Sequence, residues 1–187
     1  DHNVFFPIIA IEEPEAHLHP NAQKKLFRQM AGISGQKIIS THSPYIAASA
    51  EIGQIRSIYK DSDGVNFGKV DIDQLNDEDL RKIRRQVINT RGDIFFAKVL
   101  VFCEGETEEQ ALPIFAEKHF AIPVTETGID FIGVDGHGNY LPFLRLADAL
   151  KIPWFIFSDA EAAIVTSVQS QLNDSGTTRN ESDVVVY

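Results

Sequence analysis

Apolar, β-branched runs recur along the chain, and several of them stop abruptly at a carboxylate or a turn residue. Val4 to Ile11 runs into Glu12, Glu13 and Pro14; Lys37 to Ser40 runs into Thr41-His42-Ser43-Pro44. Lys98 to Cys103, Ile129 to Val134 and Pro153 to Phe157 are of strand length and apolar enough to be buried on both faces, as in a parallel sheet. Between them lie segments with helical start signals and periodicity. Pro20 suits a first helical turn ahead of Leu26, Phe27 and Met30, and Ser43 can cap a helix beginning at Pro44. Asn76 opens a charged helix to Asn89 whose Leu80, Ile83 and Val87 share one face. Helices are predicted over Thr107 to Phe120, over Asn139 to Leu150, and from Ser158-Asp159-Ala160-Glu161 onward. Ile55 to Lys60 and Val65 to Val70, joined through Asp61-Ser62-Asp63-Gly64, predict a hairpin. Asn173 to Asp183 is polar enough for a mobile loop. Strand and helix alternating from residue 98 predict an α/β fold with right-handed crossovers.

Composition narrows the setting. The 187 residues suffice for one domain, or one domain and part of another. The chain opens on an apolar run with no Met, so further sequence is expected ahead of it. A single cysteine excludes an internal disulfide and no run is long and apolar enough for a membrane span, which makes cytoplasmic the expected location. The net charge of −10 argues against a blanket attraction to nucleic acid. The exception is a basic cluster, Arg81, Lys82, Arg84, Arg85 and Arg91, which is either a solvated helix face or a phosphate-contacting one.

The acids carry the chemistry. Glu104 and Glu108 follow the strand ending at Cys103, Asp135 follows Val134, and Asp159 and Glu161 follow Phe157. Ligands of open α/β sheets bind where strands end. Four or five carboxylates gathered there repel one another unless cations offset the charge, and their hard oxygens suit magnesium, manganese or calcium. Cys103 is expected in the core and His137 is not expected as a ligand. Helix capping is the competing explanation for part of the set, because Thr107-x-x-Gln110 and Ser158-x-x-Glu161 both fit a capping box. Glu106 and Glu109 read as solvated.

Two motif sets resemble known families. Glu-Glu-Pro-Glu-Ala-His-Leu-His-Pro at 12–20, followed by Ser-Thr-His-Ser-Pro at 40–44, resembles the C-terminal half of the ABC-type ATPase core of the SMC, RecF and OLD groups. That resemblance implies Glu12 as the acid holding magnesium through water, in place of the commoner aspartate. It implies Glu13 as the base polarising water and His42 as the γ-phosphate sensor. The chain contains no Gly-x-x-x-x-Gly-Lys-Ser/Thr loop, so ATP is expected only in a longer protein and these 187 residues are not expected to hydrolyse it unaided. Glu-Gly-x-Thr-Glu at 104–108, Asp135-Gly136 and Ser158-Asp159-x-Glu161 resemble the Toprim domain of OLD-family nucleases, the group that includes the nuclease subunit of Gabija-type anti-phage systems. Here Glu161 stands where topoisomerases have a second aspartate.

The combined resemblance implies a Rossmann-like Toprim sheet preceded by ATPase sequence. Residues 1–70 would be the ATPase portion, 71–97 a helical connector and 98–187 the Toprim domain. It implies two-metal hydrolysis of DNA, with Glu104, Glu108, Asp135, Asp159 and Glu161 as ligands of two Mg2+, Mn2+ or Ca2+ ions, or with Glu104 as general acid/base. It further implies a homodimer through the ATPase domain, a helicase partner, and a lysine beyond Glu161 that this stretch lacks. Two alternatives stand beside it: a primase- or topoisomerase-like Toprim protein, for which Tyr140 would be the candidate nucleophile, and a non-catalytic regulatory ATPase fragment.

Overall fold

The computed structural model describes residues 8–61, 64–90 and 92–176. Residues 4–7 of the first expected strand, Ser62 and Asp63 of the hairpin turn, Arg91 of the basic cluster and the polar stretch from 177 lie outside the described residues.

The chain begins with β1 (Ile8–Glu12), α1 (Pro20–Ala31) and β2 (Gln36–Ser40), a strand–helix–strand unit whose strands pair in parallel with Glu12 opposite Ser40. Pro20 occupies the first turn of α1, where its missing N–H costs nothing, and the His19 side chain accepts from Asn21 N. Ser43 caps α2 (Pro44–Ala47) by accepting from Ile46 N at 3.3 Å. An antiparallel hairpin follows, β3 (Arg56–Asp61) and β4 (Gly64–Lys69). Gly68 presses its backbone onto α6 (Tyr140–Leu150), for a Cβ there would stand 2.3 Å from the Ala149 carbonyl oxygen.

After a 3-10 turn at Ile72–Gln74 comes α3 (Asp77–Asn89), capped by Asn76, whose side chain accepts from both Glu78 N and Asp79 N at 2.9 Å. Ile83 and Val87 are buried on its inner face, as their spacing predicts. The remaining elements are β5 (Val99–Cys103), α4 (Glu106–Phe120), α5 (Val124–Thr127), β6 (Ile129–Gly133), α6, β7 (Trp154–Phe157) and α7 (Ala162–Asp174). Helix α7 includes Asn173 and Asp174, which the polarity of the segment had suggested for a loop.

β5, β6 and β7 form one parallel sheet in the order β6-β5-β7, so the apolar run 99–103 is its central strand. Phe102 is fully buried there, 5.9 Å from the Phe143 ring and 6.5 Å from the Trp154 ring. One core joins this sheet to Val70, Leu75, Ile83, Val87 and Ile94, so the segment leading from the hairpin through α3 packs against the sheet. Cys103, opposite both Gly133 and Phe157, is the last paired position on β5. All three strands therefore end at one edge, and the residues that follow them emerge side by side.

Candidate functional site

At that edge the ladder extends one step beyond the strands. Val134 N donates to the Cys103 carbonyl at 2.9 Å and Gly136 N to the Glu104 carbonyl at 2.8 Å. These bonds hold the backbones of Glu104 and Asp135 against each other. Asp135 takes a left-handed conformation, φ 59°, which aspartate tolerates, and its loop is closed by Asn139 Nδ2 donating to the Asp135 carbonyl at 2.7 Å.

Glu104 keeps its Oε2 buried with no hydrogen-bond partner, while its Oε1 lies 3.6 Å from His137 Nδ1. Beneath the same edge the hydroxyls of Tyr140 and Ser158 are likewise buried without a hydrogen bond of good geometry. Burial pushes the Tyr140 phenol up to about 12, against the influence of the Ser158 hydroxyl beside it. A tyrosine this enclosed is a packing residue and cannot reach a phosphodiester, which removes the candidate nucleophile of a topoisomerase-like reaction. Burial, reinforced by Glu109 and Glu108, pushes the Cys103 thiol up to about 12, so no thiolate is offered to a soft metal.

The other expected acids are placed as follows. The Asp135 carboxylate pairs with the Arg85 guanidinium, reached from α3. Asp159 sits exposed in the loop after β7. Glu161 is also exposed; it is the N-cap residue of α7 but makes no side-chain cap bond. Helix α7 starts at Ala162, so the capping box expected from Ser158 does not form. Glu108 Oε2 accepts from Gly105 N at 3.1 Å, which is the one half of a capping box that a glycine N-cap allows, and Thr107 stands exposed inside the first turn.

Glu109, expected in solvent, is half-buried against the Gly133 backbone. Burial raises its carboxyl above the ordinary value, the Gly133 amide opposing and Asp135 and Glu106 adding to the rise. The signal was present in the spacing: Glu109, Leu112, Pro113 and Ala116 fall at i, i+3, i+4 and i+7 and are all half-buried. Arg85 was legible only as a member of the basic cluster, and neither its pairing with Asp135 nor the bond from Gln86 Nε2 to the Gly133 carbonyl had a local signal, because these partners lie about 50 residues away.

The oxygen donors at the edge, one of them an orphaned buried carboxylate oxygen, fit the chemistry of a hard divalent cation. As the side chains stand, no group of three or more His, Cys, Asp or Glu among the described residues is close enough to enclose one. The acids are held on other partners, Asp135 on Arg85 and Glu108 on the Gly105 amide. The Arg85–Asp135 side chains are 57% and 61% exposed, so their pairing contributes no more than about 1 kcal/mol and is readily exchanged.

A second strand-end site lies on β1 and β2. Glu13 N donates to the Ser40 carbonyl at 2.9 Å, and Glu13 Oε1 is 3.5 Å from His42 Nε2, so parallel pairing brings Glu12, Glu13 and His42 to one edge. Glu15, unassigned by the sequence reading, ties the two loops together: its Oε1 accepts from Thr41 Oγ1 at 2.6 Å and from His42 N at 3.0 Å.

A parallel sheet ending in Glu104, Asp135 and Asp159, behind a strand pair ending in Glu12, Glu13 and His42, defines a Toprim protein with part of an ATPase core ahead of it. The comparisons agree: residues 95–160 match the family described as "Overcoming lysogenization defect protein-like, TOPRIM domain", and residues 6–47 match an AAA ATPase domain. Over these two segments the chain is similar to OLD-family proteins. It is 25% identical over 163 residues to the "Old nuclease" of Escherichia phage P2, covering 82% of this chain and 28% of that protein. To the "OLD nuclease" of Thermus scotoductus it is 26% identical over 167 residues, 82% of this chain and 30% of that one. To the "Endonuclease GajA" of Bacillus cereus it is 22% identical over 182 residues, 82% of this chain and 26% of the relative. The chain thus spans under a third of each of these relatives. The solved C-terminal region of the Xanthomonas campestris pv. campestris OLD protein aligns at 24% identity over 51% of this chain and 45% of that one, with a TM-score of 0.41. No helix among the described residues is long and apolar enough to cross a membrane.

Proposed function

We propose that this chain carries the catalytic portion of a divalent-metal-dependent DNA endonuclease that hydrolyses phosphodiester bonds under the control of its ATPase-derived half. The observation that carries the reading is the convergence of three parallel strand ends, each followed by a carboxylate, in a chain related to nucleases. Glu104, Asp135 and Asp159 would hold the cation, Mg2+ or Mn2+, with Glu108 and Glu161 as further acids of the two-metal arrangement. When bound, such cations supply positive charge to a phosphoryl oxygen and lower the pKa of a coordinated water.

The rest falls to the chain's own groups. Glu104 keeps one oxygen clear of every protein donor, so it is the carboxylate free to meet a cation or to take a proton from an attacking water. Asp135 serves only after leaving Arg85, an exchange that the exposure of the pair makes easy. Glu12, Glu13 and His42 would take part in nucleotide binding when the remainder of an ATPase core is present. A homodimer built through that core, a helicase partner and a role in anti-phage defence belong to the same proposal.

The test is nicking of supercoiled plasmid in Mn2+ by wild type and Glu104→Ala. We expect metal-dependent nicking that falls about 100-fold or more in the variant. Undiminished nicking by Glu104→Ala would sink the assignment, and a covalent protein–DNA adduct would move it to the topoisomerase class.

A further inference from the structure

Helix α3 carries its cations in a pattern. Arg81, Arg84, Arg85 and Ile88 stand at i, i+3, i+4 and i+7, form one stripe, are all exposed and line a shallow groove. The stripe lies away from the buried Ile83 and Val87, and its inner end is Arg85 on Asp135. The helix is fixed there by contacts that do not use the stripe. Gln86 Nε2 donates to the Gly133 carbonyl, and Lys82 Nζ donates to Asn139 Oδ1 at 2.9 Å while pairing with Glu78 at 3.0 Å. On a chain of net charge −10, three arginines in one stripe leading to the acid edge are a local reversal of sign.

We propose that the arginine face of α3 receives the phosphate backbone of nucleic acid, and that Arg85 is its innermost contact, exchanging Asp135 for a phosphate oxygen when substrate sits at the acid edge. This rests on the reading of the acid edge as a DNA-cleaving site. The exchange suits the chemistry of both partners. A guanidinium presents a planar fork that fits phosphate as well as carboxylate, and it stays charged throughout. Its departure frees Asp135 for a cation, so the arrival of substrate and of metal at this edge reinforce each other. Arg81 and Arg84 extend the positive track outward along the groove, and contacts of this kind position a duplex without reading its sequence.

The experiment measures binding of a fluorescent 25-base-pair duplex to the full chain in Ca2+, used in place of Mn2+ so that binding is read without cleavage, across a range of salt. Variants are Arg84→Gln, Arg85→Gln and Arg85→Lys, with Arg28→Gln on the exposed side of α1 as the remote control. We expect each α3 glutamine variant to weaken binding about 3- to 10-fold and to lower the slope of log affinity against log salt by about 0.9. Arg85→Lys should restore the slope, and Arg28→Gln should change neither quantity. In the absence of DNA, Arg85→Gln should bind Mn2+ about 3- to 10-fold more tightly than wild type, because the competing charge on Asp135 is gone; Arg84→Gln should not. If wild type binds and nicks DNA while both glutamine variants keep its affinity and slope, the assignment of α3 is overturned and the cleavage site stands. If wild type binds no duplex under any metal condition, the DNA reading falls and this one with it.

Discussion

Gly92 is where the segment after α3 meets α2, and replacing it with alanine measures how tightly the two are joined. Its φ of 91° is left-handed, its N–H donates to the Val87 carbonyl at 2.8 Å after α3, and it is buried. A Cβ placed on it would stand 2.1 Å from the Pro44 carbonyl oxygen, 2.9 Å from the Pro44 carbonyl carbon and 3.1 Å from the Ala48 Cβ. Two costs add. A non-glycine residue in left-handed geometry costs about 1–2 kcal/mol. Relieving an overpacked contact costs about 1–3 kcal/mol more, because the nearest partner is the Pro44 backbone and the Ala48 Cβ has no rotamer that turns away. The expected loss is about 2–5 kcal/mol out of the usual 5–15 kcal/mol, or a melting point lower by on the order of 10 °C.

Gly128→Ala separates the two contributions. Its φ is 76°, but its Cβ would meet only side-chain carbons of Lys98, at 2.9 Å, which can swing aside. That variant should lose only the conformational cost, about 1–2 kcal/mol. The assay is urea unfolding followed by far-ultraviolet circular dichroism for wild type and both variants. If Gly92→Ala costs no more than Gly128→Ala, the close approach of the Gly92 backbone to α2 does not exist in solution.

Two further outcomes follow from the carboxylates. The folded chain holds Glu109's proton more tightly than the unfolded chain does, because burial raises its pKa, so wild-type stability at this residue is lost as pH rises above the ordinary value of 4.5. Glu109→Gln should therefore be more stable than wild type at pH 7, with a gap in urea midpoint that narrows toward pH 4.5; a gap independent of pH refutes the assignment. Glu15→Ala removes the acceptor shared by Thr41 Oγ1 and His42 N and should cost about 1–3 kcal/mol in the same unfolding experiment, whereas a loss below about 0.5 kcal/mol would mean the two loops are not joined through it.

The sequence by itself determined the elements and the edge. Apolar runs of strand length alternating with capped amphipathic helices leave little choice but a parallel sheet, and parallel strands end together, so Glu104, Asp135 and Asp159 were legible as residues that follow strands at one sheet edge. Local rules also read the Asn76 and Ser43 caps correctly, because capping depends on residues within a turn of each other. They failed at α4 and α7: α4 is entered from Gly105, which has no side chain to complete a box, and α7 starts at Ala162, past Ser158. Only the tertiary structure decided which partner each acid meets. Glu109 turns inward because α4 lies on β6, and Arg85 reaches Asp135 because Ile83 and Val87 bury the opposite face of α3. Those contacts join residues far apart in the chain, and their energy comes from packing and burial, which no stretch of sequence carries alone.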